Sequence, residues 1–393
     1  MPEGINISPG SSDDGWKSPP AVELSDGSYV QLYKDGEALL AAYNAIKRAA
    51  HRICLEVYIF ADDETGRAFA SLLAEKARQG VKVYVIYDDF GSAWSDRKMF
   101  RQMREAGVNL AKFHPLRPWQ CQYGWRPFNR DHRKLLVIDH DTAGLGGLNI
   151  AGEYAGRWVV ANERRANDPW RDTAIGVRGP AAQSLLDCFG RTWNYIRSRG
   201  RINRTQMIEL APNRPVGVVA TAPTMHSPLR PLLHDLFRSA RTSIDLTMAY
   251  FAPDDELVEV LCTAGRRGVG VRLMLPNRSD VPAVVMAARS FYEKLMRSGV
   301  EVYERQGAIL HAKSMVIDRR LSVLGSMNLD YRSIEYNLEL SVLVHSEPFA
   351  EQMVALFDHD VQFSRRICPE EWNRRHWQDR LGQWAVSRAR YLL

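Results

Sequence analysis

Residues 132–149 read HRKLLVIDHDTAGLGGLN. The apolar run Leu135 to Ile138 has the length and β-branched content of a buried strand. His132 and Lys134 are two residues apart at its start, so period-two alternation puts both side chains on the same side. Gly146 and Gly147 permit a tight turn without a Cβ penalty. Asn149 lies just beyond that turn, where its amide can swing back as a donor. An imidazole beside a fixed cation and an amide suits nucleophilic attack on a phosphate ester.

The same pattern recurs at 311–328 as HAKSMVIDRRLSVLGSMN. His311, Lys313, Asp318, Gly325 and Asn328 repeat His132, Lys134, Asp139, Gly146 and Asn149 at identical spacing. A lone histidine near a strand is ordinarily a satisfied core residue. Two copies of one constellation at fixed spacing are not explained that way.

The paired His-x-Lys-x4-Asp motif resembles the signature of the phospholipase D superfamily. The chain is most similar to its bacterial cardiolipin synthases, in the short form without membrane-spanning helices. The resemblance runs from Asp26 onward. It implies a duplicated α/β fold: two pseudo-symmetric lobes, each a mixed, largely parallel sheet flanked by helices, with the active site at their interface.

The order of elements agrees with duplication. Val30 to Tyr33 reads as a strand. Gly36 to Ala50 reads as a helix, with Leu39, Leu40, Tyr43 and Ile46 at helical spacing. Ile53 to Phe60 is a strand, Asp62-Asp63-Glu64 opens a helix ending at Gly80, and Val81 to Tyr87 is the next strand. The second half repeats this: Ser243 to Phe251, Asp254-Asp255-Glu256, Gly268, Val269 to Leu275. Alternating strands and helices predict a largely parallel sheet flanked by helices. The expected units are a disordered arm 1–25, lobes 26–205 and 206–363, and a basic amphipathic tail 364–393. The seam falls between Arg199 and Pro215.

Composition narrows the partners. The net charge is +6, with 52 Lys and Arg against 46 Asp and Glu, which suits an anionic ligand or surface. Cys54, Cys121, Cys188, Cys262 and Cys368 are scattered and form no Cys-x-x-Cys, so neither a disulfide framework nor a zinc site is indicated. No apolar run approaches the ~18–20 residues of a spanning helix. A lipid-active protein of this kind is expected on a membrane surface, here the cytoplasmic side of a bacterial cell membrane. The tail carries Trp377, Leu381, Trp384 and Tyr391 on one helical face, with Arg380 and Arg388 nearby. That face can dock on the protein core or on a membrane, and the two are not exclusive. Trp119, Tyr123, Trp125 and Phe128, with Arg117 and Arg126, precede the first motif. They read either as a loop plugged into the core or as a wall facing substrate. The segment 277–290, with Arg278, Asp280 and Arg289, lies in the comparable place in half two.

Resemblance supplies the roles. His132 and His311 are the nucleophile and general acid, with His132 the usual nucleophile. Lys134, Lys313, Asn149 and Asn328 are expected to hold phosphate oxygens. Asp139 and Asp318 complete the motifs, but lie past the apolar run and are expected to anchor the turn. Asp172 and Glu339 open corresponding strands. The family pattern makes each the orienting acid for the histidine of its own half, with Glu153 and Glu163 as rivals for Asp172. No metal or other cofactor is implied. The implied reaction is phosphatidyl transfer, two phosphatidylglycerols giving cardiolipin and glycerol, with phosphatidylethanolamine as an alternative donor. Lipid hydrolysis is the rival, nuclease activity is a more distant one, and no nucleic-acid partner is expected.

Overall fold

The computed structural model describes residues 15–117, 128–156, 170–201, 207–210, 214–222 and 227–389. Two sheets dominate it. The first has eight strands, in the order Val22–Glu23, Tyr29–Lys34, Thr173–Arg178, Thr142–Gly146, Leu135–Ile138, Arg52–Val57, Lys82–Asp88, Asn109–Phe113. The second has nine, running from Met207–Glu209 through Val216–Ala220, Leu340–His345, Leu321–Gly325, Lys313–Ile317, Ser243–Met248, Gly270–Pro276 and Glu301–Arg305 to Ser364–Arg366.

Both sheets are mixed, but the expectation that they are largely parallel is corrected. Antiparallel pairings outnumber parallel ones in each, because the motif strands and the strands beyond them are joined as hairpins or laid antiparallel. The parallel part is three adjacent strands in each: Arg52–Val57, Lys82–Asp88 and Asn109–Phe113, and their counterparts Ser243–Met248, Gly270–Pro276 and Glu301–Arg305. Helices Glu64–Arg78 and Asp255–Arg266 make the first crossover in each lobe. Asp63 and Asp254 cap them by accepting from Gly66 N and Leu257 N, the N-cap chemistry expected of those acidic runs. The motif strands are antiparallel to both neighbours, because each turns back tightly into the strand that follows it.

Alternation along the motif strand divides the core. Leu135 and Val137 enter a cluster shared by both lobes, together with Leu185 and Phe189 of helix Ala181–Arg197 and Val342, Phe349 and Met353 of the second lobe. Leu136 and Ile138 face the outer layer of lobe one, with Leu39, Phe69 and Leu73. The second lobe has its own outer cluster around Leu257, Leu261 and Tyr292. The two sheets therefore close over one central core, and the lobes are fixed against each other.

Two polypeptide boundaries move. Residues 15–25 are structured rather than a disordered arm. Val22–Glu23 pairs with Tyr29–Val30, Trp16 packs on His359, and Gln352 donates to Pro20 O across the lobes at 3.0 Å. The apolar Trp16 and Val22 bury surface that the Pro- and Ser-rich composition concealed. Residues 1–14 lie outside the described residues. At the other end, Ser364–Arg366 pairs with Tyr303–Arg305, so the tail begins as the edge strand of the second sheet.

The tail helix Trp377–Ala389 packs on helix Pro282–Arg297, with Gly382 beside Met286 and Gln383 buried. Its Trp377, Leu381 and Trp384 are nevertheless 63%, 55% and 56% exposed. Core docking and an outward aromatic face thus coexist. Tyr391 lies outside the described residues.

Candidate active site

The chain just before each histidine is held by the opposite lobe. His132 N donates to Leu338 O (2.9 Å) and Leu338 N to Arg130 O (2.8 Å). In the other direction, Ile309–Leu310 pairs in parallel with Trp170–Arg171, and His311 N donates to Arg171 O (2.8 Å). Leu338 immediately precedes Glu339, and Arg171 immediately precedes Asp172. Each short ladder therefore delivers a carboxylate to the other lobe's histidine.

His132 Nδ1 lies 3.1 and 3.2 Å from the Glu339 carboxylate oxygens, and His311 Nδ1 lies 2.7 Å from Asp172 Oδ2. Glu339 and Asp172 do face the histidines. The expectation that each acid serves its own half is corrected, however: the pairing crosses the interface. The physical reason is the ladder geometry above. Glu153 is exposed and Glu163 is outside the described residues.

With Nδ1 donating to a carboxylate, each ring presents Nε2 with its lone pair. Burial and the neighbouring lysines lower both histidine pKa values, His311 the further, so both rings are neutral near pH 7. Lys134 donates to His132 O at 2.7 Å, and Lys313 donates to His311 O and lies 2.8 Å from His311 Nδ1. Burial pushes Lys134 down to about 7 and Lys313 to about 8. An anionic phosphodiester bound between them would restore their full charge, which makes the pocket responsive to the ligand's own charge.

The two acids are unequal, and one position in the repeat contributes to it. Gly147 and Ser326 correspond. A Cβ on Gly147 would collide with the Asp172 carboxylate, so glycine makes room there but gives no hydrogen bond. Ser326 instead donates to Glu339 Oε2 at 2.5 Å, and Ser333 donates to Oε1 at 2.8 Å. His132, Lys134 and the serine hydrogen bonds hold the Glu339 pKa below its ordinary value despite burial. Burial dominates at Asp172 and raises it to about 6.

Two arginines that the sequence reading did not single out brace the interface. Arg133 donates to Glu339 O (3.2 Å) and Thr192 Oγ1 (2.8 Å). Arg171 makes a two-pronged bond to buried Asp360 of the second lobe at 2.9 and 2.6 Å. Aromatic rings fix the histidines: Tyr58 meets His132 edge-on at 5.3 Å, and Trp170, Tyr154 and Tyr250 lie 5.0, 5.3 and 6.3 Å from His311. Ser326 was legible from the repeat alignment. The aromatics and arginines carried no spacing signal.

Other candidates separate from the pocket. Asp139 and Asp318 sit at φ of 53° and 52° and accept backbone N–H bonds from residues 50–52 and 241–243. They anchor the turn, away from the histidines. Asn149 is partly committed: Oδ1 accepts from Ile59 N (3.1 Å) and Nδ2 donates to Tyr154 OH (2.8 Å). It holds Tyr154 against His311, and its second Nδ2 hydrogen stays available for the expected phosphate role. Asn328 is buried in the corresponding place. Asp280 accepts from Tyr250 OH at 2.8 Å, while Arg289 pairs with Glu304 and supports the scaffold. Phe128 is 64% exposed; Trp119, Tyr123, Trp125 and Arg126 lie outside the described residues.

The crossed pairing makes a direct prediction. Replacing Glu339 by Gln removes the anion that raises the His132 pKa, so that value should fall by on the order of 1 unit, while His311 keeps its own. Nitrogen-15 imidazole NMR titrations of wild type and Glu339→Gln measure this. A shift confined to His311 would show the opposite pairing.

The comparisons agree with this architecture. A family model described as "Cardiolipin synthase, PLD-like domain" matches residues 43–157 and 233–361, one segment for each motif. The probable cardiolipin synthase YwiE of Bacillus subtilis is 32% identical over 372 residues, covering 91% of this chain and 71% of the relative. Cardiolipin synthase A of Pseudomonas putida is 32% identical over 357 residues, covering 90% and 72%. Among solved structures, the phosphatidylserine synthase of Haemophilus influenzae superposes with a TM-score of 0.71 at 15% identity, over 93% of this chain and 95% of that one, which is a likeness of fold. Since the family match takes in both motifs and relatives at this identity run through nine-tenths of its length, the chain belongs to the cardiolipin synthase family of phospholipase D-like proteins.

Proposed function

We propose that the protein is a phosphatidyltransferase that forms cardiolipin, joining two phosphatidylglycerols with release of glycerol. The observation that carries the reading is the pair of histidines, one from each lobe, each oriented by a carboxylate of the opposite lobe and flanked by a buried lysine. Relatives named as cardiolipin synthases support the product.

The chemistry is a double displacement. Nε2 of one histidine attacks phosphorus, an N–P bond forms, and the bond to the glycerol oxygen breaks. The other histidine, which the bound anionic phosphodiester favours in its protonated form, gives its Nε2 proton to that oxygen and becomes neutral. It then takes a proton from the hydroxyl of a second phosphatidylglycerol, whose oxygen displaces the histidine from phosphorus. Lys134 and Lys313 stabilise the nonbridging oxygens as charge redistributes. No step here calls on a metal or other cofactor.

His132 is assigned as the nucleophile. Its side chain is the more accessible of the two, 13% against 5%. The firmly anionic Glu339 also stabilises the positive ring that phosphorylation creates. His311, whose pKa burial and the neighbouring lysines hold further down, gives up a proton readily once the bound phosphodiester has charged its ring.

The outward face of the last helix supports a position on the membrane surface. Among the described residues no helix is long and apolar enough to cross a membrane. Trp377, Leu381 and Trp384 are exposed, and Arg388 lies over Trp384. Such a face inserts shallowly while its cations meet anionic headgroups. The cytoplasmic face of a bacterial membrane is the setting this reading implies.

Three outcomes are expected. Purified protein on phosphatidylglycerol vesicles should yield cardiolipin and free glycerol by mass spectrometry, and parallel vesicles with added phosphatidylethanolamine identify the donor. Phosphatidic acid as the sole lipid product would mean hydrolysis instead. With an activated substrate whose leaving group needs no proton, His311→Ala should accumulate a phosphatidyl adduct on His132 in a digest that preserves phosphohistidine. An adduct found only on His311, in the His132→Ala protein, would reverse the assignment. Finally, replacing Trp377, Leu381 and Trp384 together by Ala should weaken cosedimentation with anionic vesicles, and salt should weaken wild-type binding. Unchanged binding by a folded triple variant would remove this face from the membrane contact.

A further inference from the structure

Lobe one contains a cavity of about 570 Å³ between helix Glu37–Arg48 and the outer face of the first sheet. Protein interiors ordinarily contain few voids larger than a water molecule. This one arises from small residues on both sides. The helix contributes Ala38, Ala41, Ala42 and Ala45, and the sheet opposes them with Gly144, Ala174 and Gly176.

Gly144 shows that the space is not required by backbone packing. A Cβ built there has only Ile175 O nearby, at 3.8 Å, an ordinary contact. Gly146 differs: a Cβ there would lie 2.6 Å from Thr173 O, so close strand approach demands glycine. Omission of a side chain at Gly144 leaves open volume that any apolar residue with strand propensity could have filled.

The cavity has a direction. Lys134 and Gly146 line it at the end of the strands where the histidines lie, and Thr142 and Arg178 line it at the other end. Strand Thr142–Gly146 spans the distance between, roughly 13 Å at ~3.3 Å per residue. Its walls between those ends are Leu136, Ile138, Leu39 and Phe69, with Tyr33 toward the outer strand. It is a half-open, mostly apolar passage that reaches, at one end, the lysine expected to hold the phosphate.

We propose that this passage takes one acyl chain of the phospholipid whose phosphorus is attacked. The inference rests on the phosphatidyl-transfer reading, because Lys134 ties the passage to the reacting phosphate. A chain threaded between helix and sheet would set the glycerol backbone against the first motif and so fix which ester bond faces His132. It would also make long-chain lipids better substrates than short-chain ones, by burying methylenes that a short chain lacks.

Two variants and one probe test this. Gly144→Ile and Ala42→Leu each place a branched side chain in the passage. The ratio of kcat/KM for dioleoyl- over dihexanoyl-phosphatidylglycerol should fall about tenfold or more in each, with cardiolipin formation as the readout. An unchanged ratio in both folded variants would overturn the proposal. Independently, phosphatidylglycerol bearing a photoactivatable diazirine on one acyl chain should cross-link wild-type protein within residues 38–46 or 142–146. Cross-links that avoid both segments, as when the chain's own residues 1–14 fill the passage, would also overturn it. Failure of the catalytic reading is separable: wild type would then make no cardiolipin from either lipid, while the cross-link position still decides whether an acyl chain enters.

Discussion

The crossed carboxylates, Glu339 on His132 and Asp172 on His311, are the constraint on which the architecture turns. A buried imidazole near neutral pH needs a fixed partner to set its tautomer and to accept charge when it reacts. Here neither lobe supplies that partner to its own histidine. The site exists only when the lobes are docked, and the features that dock them are mostly buried. They are the short ladders at Asp131–Leu338 and Ile309–Trp170, the Arg133 and Arg171 braces, and the shared central core. Removing one partner of a buried pair such as Arg171–Asp360 typically costs about 3–5 kcal/mol, so these braces bear on stability and on site geometry together.

Duplication supplied two equal half-sites, and later divergence made them unequal. The serine at 326 opposite the glycine at 147 shifts the balance between burial and hydrogen bonding at the two acids. Glu339 stays ionised, while Asp172 is pushed up to about 6. A double displacement benefits from that inequality. One histidine must carry a covalent phosphoryl group and its positive charge, and the other must give up and regain a proton within the same turnover. Similar asymmetry extends outward: Tyr58 faces His132, whereas three aromatic residues surround His311.

Much of this was legible in the chain because the deciding signals are local. Two motifs at identical spacing, acidic N-caps at Asp63 and Asp254, and apolar runs bounded by glycine each state a conformation within about ten residues. Asp139 and Asp318 were recognisable as turn anchors from their place beyond the strand. What could not be read is what depends on contacts between distant segments. Pairing of Ile309–Leu310 with Trp170–Arg171 crosses more than a hundred residues and leaves no periodicity, so the acids were assigned to their own halves. Nothing in the sequence near Asn149 predicts that Ile59 N and Tyr154 OH bond to its amide. Trp16 and Val22 stand in a segment whose composition suggests disorder, yet two apolar residues suffice to pin it across both lobes.

The central claim is that two displacements follow one another at one phosphorus, through one histidine, while the other histidine moves the protons. Stereochemistry at that atom tests it most directly. Phosphatidylglycerol made chiral at phosphorus with sulfur in place of one nonbridging oxygen can be converted to the cardiolipin analogue and its configuration determined by phosphorus NMR. Two in-line displacements through a phosphohistidine predict overall retention. Inversion would mean that the acceptor hydroxyl attacks phosphorus directly, and the histidine pair would then have no covalent role.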